Sequence, residues 1–207
     1  MKDLIILAAD KSMEQTLKGV LGRPDALGIR PVTFDILVHP ERDPGCAHRG
    51  VGFLDSSGFS NRYCCGLLVF DYEGCGKEQL SPPKLQENLN EEFALSNWKD
   101  RAKAIVIVPE LEAWLWRDSR HLEEVVGWKT EHRGLYRWLR ENDWLKQGNL
   151  KPDRPKEAFE ATLRKTKKRR SSSLYLQIAQ RVSLAKCEDR SFQSLTEILR
   201  AWFPIAR

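Results

Sequence analysis

LLVFDYEGCG, Leu67 to Gly76, decides how the chain reads. Four apolar residues in succession give a strand buried on both faces, as in a parallel sheet covered by helices on each side. The run ends on Asp71 and, two places on, Glu73, before a loop built on Gly74 and Gly76. In an extended segment residues i and i+2 lean to one face, so both carboxylates are directed to one place. Two close carboxylates repel, and one is driven toward its neutral form unless a cation lies between them. Hard oxygen ligands of this kind suit Mg²⁺ or Mn²⁺, and the glycines permit turns close to a ligand. The plainer reading is an Asp that caps the following loop.

Outward from that stretch the pattern repeats. Asp3 to Ala9 reads as a first strand, and Ser12 to Leu21 as a helix with Ser12 as its N-cap. Val32 to His39 gives a second strand, Tyr63 to Phe70 the third, and Lys103 to Val108 a fourth. The stretch Pro40 to Asn61, rich in Pro, Gly, Asp and Ser, predicts loop with one short irregular helix. Pro82 and Pro83 open a helix running to about Leu95. After the fourth strand the signal is helical throughout. One helix is expected from Pro109 to Val126, then others over Leu135–Leu145, Pro155–Lys168, Ser172–Leu184 and Phe192–Trp202. The expected architecture is α/β: a mostly parallel four-stranded sheet flanked by helices, followed by an α-helical C-terminal half. In domains, this divides into an α/β unit over residues 1–127 and a helical extension over 128–207 packed on it.

Composition bounds the function. With 207 residues, 41% hydrophobic and 30% charged, the chain can bury a substantial core. No run of 18 apolar residues occurs, and the N-terminus lacks a signal-peptide pattern, so no membrane partner and a cytoplasmic location are expected. Five cysteines without C-x-x-C spacing and four histidines without ligand spacing argue against structural zinc and for reduced thiols. A net charge of +5 favours a polyanionic partner.

Ligands of an open parallel sheet bind beyond the carboxyl ends of its strands. Asp10 ends the first strand, with Glu14 one helical turn on. His39, Arg42 and Asp43 follow the second strand, Asp71 and Glu73 the third, and Glu110 and Glu112 the fourth. Each has an ordinary alternative. Asp10 serves as a cap, Arg42 to Gly45 as a salt-bridged turn, and Glu110 and Glu112 as first-turn acids that offset a helix dipole. Acids at three separate strand ends on one edge argue for a shared site. A metal held there could polarise a phosphodiester and activate water.

These residues resemble the Toprim domain of topoisomerases, primases and nucleases, in which an acid follows the first strand and D-x-D follows a later one. Here Asp10 stands near the first position and D-Y-E-G (Asp71 to Gly74) for the D-x-D. Aligned on K-S-M-E, Ala9 occupies the place of the family's Glu, which gives its role to Asp10 or Glu14, and Glu73 replaces the second Asp. P-E-L-E-A-W-L-W-R-D (Pro109 to Asp118) is similar to the E-x-E-x-W-L motif of small Toprim-like bacterial proteins found in anti-phage defence islands, including methylation-associated systems. H-P-E-R-D-P-G (His39 to Gly45), R-P-K-E-A (Arg154 to Ala158) and R-R-S-S-S-L-Y (Arg169 to Tyr175) extend that resemblance over most of the chain. It implies a Mg²⁺- or Mn²⁺-dependent phosphodiesterase acting on nucleic acid. Asp10, Asp71 and Glu73 would be metal ligands, Glu14, Glu110 and Glu112 second ligands or acid–base groups, and His39 and Arg42 phosphate-binding groups. It also implies other defence-system proteins as partners, and a homo-oligomer is compatible with it. The alternative is a non-catalytic assembly, sensor or nucleic-acid-binding subunit of the same fold.

Arg164 to Arg170 (RKTKKRR) carries six basic residues in seven. Arg164, Lys165, Lys167, Lys168, Arg169 and Arg170, with Lys156 and the hydroxyls and amides of Ser171 and Ser172, form a candidate phosphate-binding surface. The same run also suits the solvated end of a helix. Trp128, Trp138, Trp144 and Trp202 fall at helical spacing among Leu and Val, and read as core rather than base-stacking platforms.

Overall fold

The computed structural model describes residues 1–56, 58–116, 120–129, 134–184 and 187–205. Four strands, β1 (Lys2–Ala8), β2 (Phe34–Val38), β3 (Tyr63–Asp71) and β4 (Ala102–Ile107), form one sheet of order β2-β1-β3-β4. All three pairings are parallel, with Ala8 opposite Val38 and Val69, and Asp71 opposite Ile107. The central strands are the most apolar, and Leu67 to Phe70 have no exposed surface. That agrees with a strand covered on both faces. Strand order reverses between β1 and β3, so the crevice beyond their carboxyl ends is the natural ligand position.

Helix α1 (Lys11–Leu21) follows β1 directly, and its N-cap is Asp10, not Ser12. Asp10 Oδ1 accepts the Met13 N–H at 2.8 Å. A short α2 (Pro24–Leu27) leads to β2. The stretch Pro40 to Asn61, expected to hold one short irregular helix, instead holds α3 (Arg42–Ser56), fifteen residues of regular helix whose first turn is the R-D-P-G segment. Two of the glycines there, Gly45 and Gly50, allow close approach to neighbouring groups rather than turning. A Cβ on Gly50 would lie 2.6 Å from Leu68 Cδ1, and one on Gly45 only 2.1 Å from His39 Nδ1.

Helix α4 (Pro82–Leu95) matches its expected span. The helix expected over Pro109–Val126 is interrupted. Beyond the cis Val108–Pro109 bond Glu110 is extended, Leu111–Trp114 form a 3-10 turn, and α5 occupies Arg120–Val126. Residues 117–119, which include Asp118 of the motif, lie outside the described residues. Two buried indoles fix the tight turn, Trp114 Nε1 donating to Ser191 Oγ and Trp116 Nε1 to the Pro155 carbonyl, both at 2.8 Å.

Helices α6 (Gly134–Glu141), α7 (Pro155–Thr166), α8 (Ser172–Arg181) and α9 (Arg190–Trp202) make up the C-terminal half. Trp128, Trp138, Trp144 and Trp202 are half-buried against the shared core. Helix α8 lies close on α1, where a Cβ on Gly19 would approach Ala179 Cβ to 2.7 Å. Arg23 of the connection between α1 and α2 donates to the Ala179 and Val182 carbonyls at 2.8 and 2.7 Å. No helix among the described residues is long and apolar enough to cross a membrane.

Candidate functional site

Beyond the carboxyl ends of the strands lies a cavity of about 640 Å³. Strand topology brings Asp10 from β1, Asp43 from the start of α3, Asp71 and Glu73 from β3, and Glu110 and Glu112 from beyond β4 to its wall. His39, Arg42, Lys156 and Arg170 line the same space. The structure thus gathers most of the strand-end residues singled out in the sequence.

Asp71 is the electrostatic focus. Its backbone N–H donates to Asp43 Oδ1 at 2.8 Å, while its own Oδ1 is fully buried with no hydrogen-bond partner. Burial, then the charges of Asp43, Glu112, Glu110 and Asp10, raise its pKa well above the usual carboxylate range. Asp43 and Glu110 are shifted upward as well, each chiefly by burial. Glu73 follows on the exposed side, its N–H donating to the Pro109 carbonyl at 3.1 Å. The loop beyond turns through Gly74 (φ 84°) and Gly76 (φ 77°), backbone angles that favour glycine. Glu78 Oε1 accepts both of their N–H groups, at 2.8 and 3.2 Å.

Two cations enter from the helical half. Lys156, near the start of α7, contacts Glu110 Oε1 at 2.5 Å. Arg170, between α7 and α8, donates to Glu112 and Glu160 at 2.9 Å each, and its Nε donates to Tyr175 Oη at 2.8 Å. The Tyr175 hydroxyl in turn donates to Glu112 Oε1 at 2.5 Å, so Glu112 is gripped from two sides. Burial and the Glu112 charge push the Tyr175 phenol strongly upward, which keeps it a hydrogen-bond donor.

His39 is buried, with its ring 5.4 Å from that of Phe53. Its Nδ1 accepts the Glu41 N–H at 3.1 Å. Burial and then the Arg49 charge lower its pKa, so it is a neutral imidazole with the proton on Nε2. Exposed Arg42 opens α3 at a φ of 52°.

Other expected residues stand apart. Glu14 does not line the cavity; its carboxylate is buried between Lys11 at 2.5 Å and Lys18 at 2.6 Å. The basic run divides. Arg164, Lys165, Lys167 and Arg169 are exposed, Lys168 Nζ donates to the Val125 carbonyl, and Arg170 turns into the acidic site. Ser171 precedes α8 without a side-chain cap bond and pairs with Ser173, while Ser172 begins the helix.

Two participants were not assigned from the sequence. Asp43 was visible at the end of the second strand but was read with a turn. Tyr175 had only the R-R-S-S-S-L-Y motif to mark it. The donor set is all oxygen, and the orphaned Asp71 Oδ1 fits a hard divalent cation. Among the described residues, no group of three or more His, Cys, Asp or Glu side chains already has a metal-binding arrangement. No family model, curated protein or solved structure matches the chain.

Proposed function

We propose that the protein is a divalent-metal-dependent phosphodiesterase acting on nucleic acid, with Mg²⁺ or Mn²⁺ held by Asp71, Asp10 and Glu73. The observation that carries this reading is the buried, unpartnered Asp71 Oδ1 in a cavity walled by further carboxylates from separate strand ends. A buried carboxylate without a partner is costly unless a cation completes it. The ion would supply Lewis acidity and an activated water.

The chain's own groups account for substrate handling. Arg42 would bind phosphate oxygens by charge-assisted hydrogen bonds, joined by the N–H groups of Arg170 that its three partners leave over, and neutral His39 would donate from Nε2. Glu110, whose carboxyl is raised by burial, is suited to hold a proton for a leaving oxygen. Exposed Arg164, Lys165, Lys167 and Arg169 would contact more distant phosphates. A role in anti-phage defence, together with other defence proteins, is supported by the Toprim-like motifs of the sequence.

A second reading, a non-catalytic Toprim-fold subunit, is favoured by the binding of Glu110 and Glu112 to Lys156 and Arg170. Incubation with labelled single- and double-stranded DNA and RNA plus Mn²⁺ separates the two. Cleavage by the wild type, lost in Asp71→Asn, is expected; equal inertness of both across all four substrates would sink the enzymatic reading.

A further inference from the structure

Lys156 and Arg170 both place positive charge in the acidic cavity, but they are held differently. Arg170 is committed at three points, to Glu112, Glu160 and the Tyr175 hydroxyl. A planar guanidinium fixed by several partners does not reorient without breaking them together. Lys156 makes one contact, to Glu110, through a side chain that is 41% exposed. Its ammonium rides on a flexible four-carbon stem and can leave this one partner, buried Glu110, without breaking a network of other bonds.

The position of that tether matters. Lys156 lines the same cavity as Asp43, Asp71 and Glu110, with its Nζ 2.5 Å from Glu110 Oε1. The lysine therefore neutralises the same cluster that a divalent ion would occupy. An ammonium and a dication on neighbouring carboxylate oxygens repel, so the two compete for this cluster. The cavity of about 640 Å³ leaves room for the lysine to swing.

We propose that Lys156 is an exchangeable internal cation. It holds Glu110 while the divalent ion is absent, releases it when the ion enters, and then offers its ammonium to a substrate phosphate. This rests on the metal reading above. No covalent bond changes; one ion pair is exchanged for another.

Calorimetric titration with Mn²⁺ at neutral pH tests it in the wild type, Lys156→Met and Lys156→Gln. Lys84→Met removes the same charge from the exposed face of α4, outside the cavity lining. Both Lys156 variants are expected to bind Mn²⁺ about tenfold more tightly than the wild type, the order expected for removing one nearby competing charge. At saturating Mn²⁺ they should bind inorganic phosphate several-fold more weakly. Lys84→Met should stay within about twofold on both counts, because its charge is solvated and screened. Mn²⁺ binding by the Lys156 variants alone would also support the exchange. Equal Mn²⁺ affinity in the wild type and both Lys156 variants would overturn it while leaving the metal site intact. Absence of Mn²⁺ binding in all of them would overturn the exchange together with the metal reading. Thermal unfolding of each variant checks that it is folded.

Discussion

At the scale of single residues, Asp71 is a carboxylate placed where the fold works against its charge. Its pKa is raised in the folded state, so the protonated form is the one folding favours. The sign follows: its favourable contribution is complete below the unfolded carboxylate range and is lost as pH rises through the folded value. Asp71→Asn is therefore expected to raise stability at neutral pH by about 1–2 kcal/mol, read by denaturant unfolding, with the gain shrinking as pH falls. A destabilised variant would mean that Asp71 is already satisfied in the absence of a cation. Tyr175→Phe should cost about 1–3 kcal/mol, because Glu112 would lose a buried donor while keeping Arg170. That Asp71, Glu73, Asp10, Glu110 and Glu112 share one cavity wall was legible in the sequence, because acids at strand ends stand out against apolar runs. Tyr175 was not. Its partner Glu112 is 63 positions away in sequence, and nothing local marks a phenol in a helix as paired.

At the scale of elements, α3 carries the clearest correction. Its glycines and proline read as loop by propensity, but tertiary contact decides their use: Gly45 lets the helix start against His39, and Gly50 lets it lie on Leu68. Gly45→Ala is expected to destabilise by about 1–3 kcal/mol through overpacking and to displace the His39 ring. The check is thermal unfolding together with the histidine ring chemical shifts; an unmoved ring and unchanged stability would contradict the packing described. The sheet was legible almost residue by residue, since β-branched and aliphatic runs buried on both faces have few alternatives. The interruption after Pro109 was not. It is set by Trp114 and Trp116 reaching Ser191 and Pro155, partners far along the chain.

At the scale of the whole molecule, the site belongs to both halves. The sheet supplies the acids, and the helical half supplies Lys156, Arg170 and Tyr175. The halves also share apolar and polar contacts, among them Arg200 Nε donating to the Leu27 carbonyl at 2.7 Å. Residues 1–127 alone are expected to lack a cooperative unfolding transition, because removing α8 uncovers the buried face of α1; a sharp transition in that fragment would show that the sheet half stands by itself. Replacing Arg164, Lys165, Lys167 and Arg169 by alanine should lower the salt dependence of oligonucleotide binding, by about 0.9 in log–log slope for each lost phosphate contact to a duplex. An unchanged slope would remove the basic run from the interface. The central claim is that the carboxylates around Asp71 bind a divalent cation, and calorimetric titration with Mn²⁺ of the wild type beside Asp71→Asn tests it most directly. Saturable binding by the wild type that is lost or at least about tenfold weaker in the variant is the expected result; equal affinity in the two proteins, or none in either, would contradict it.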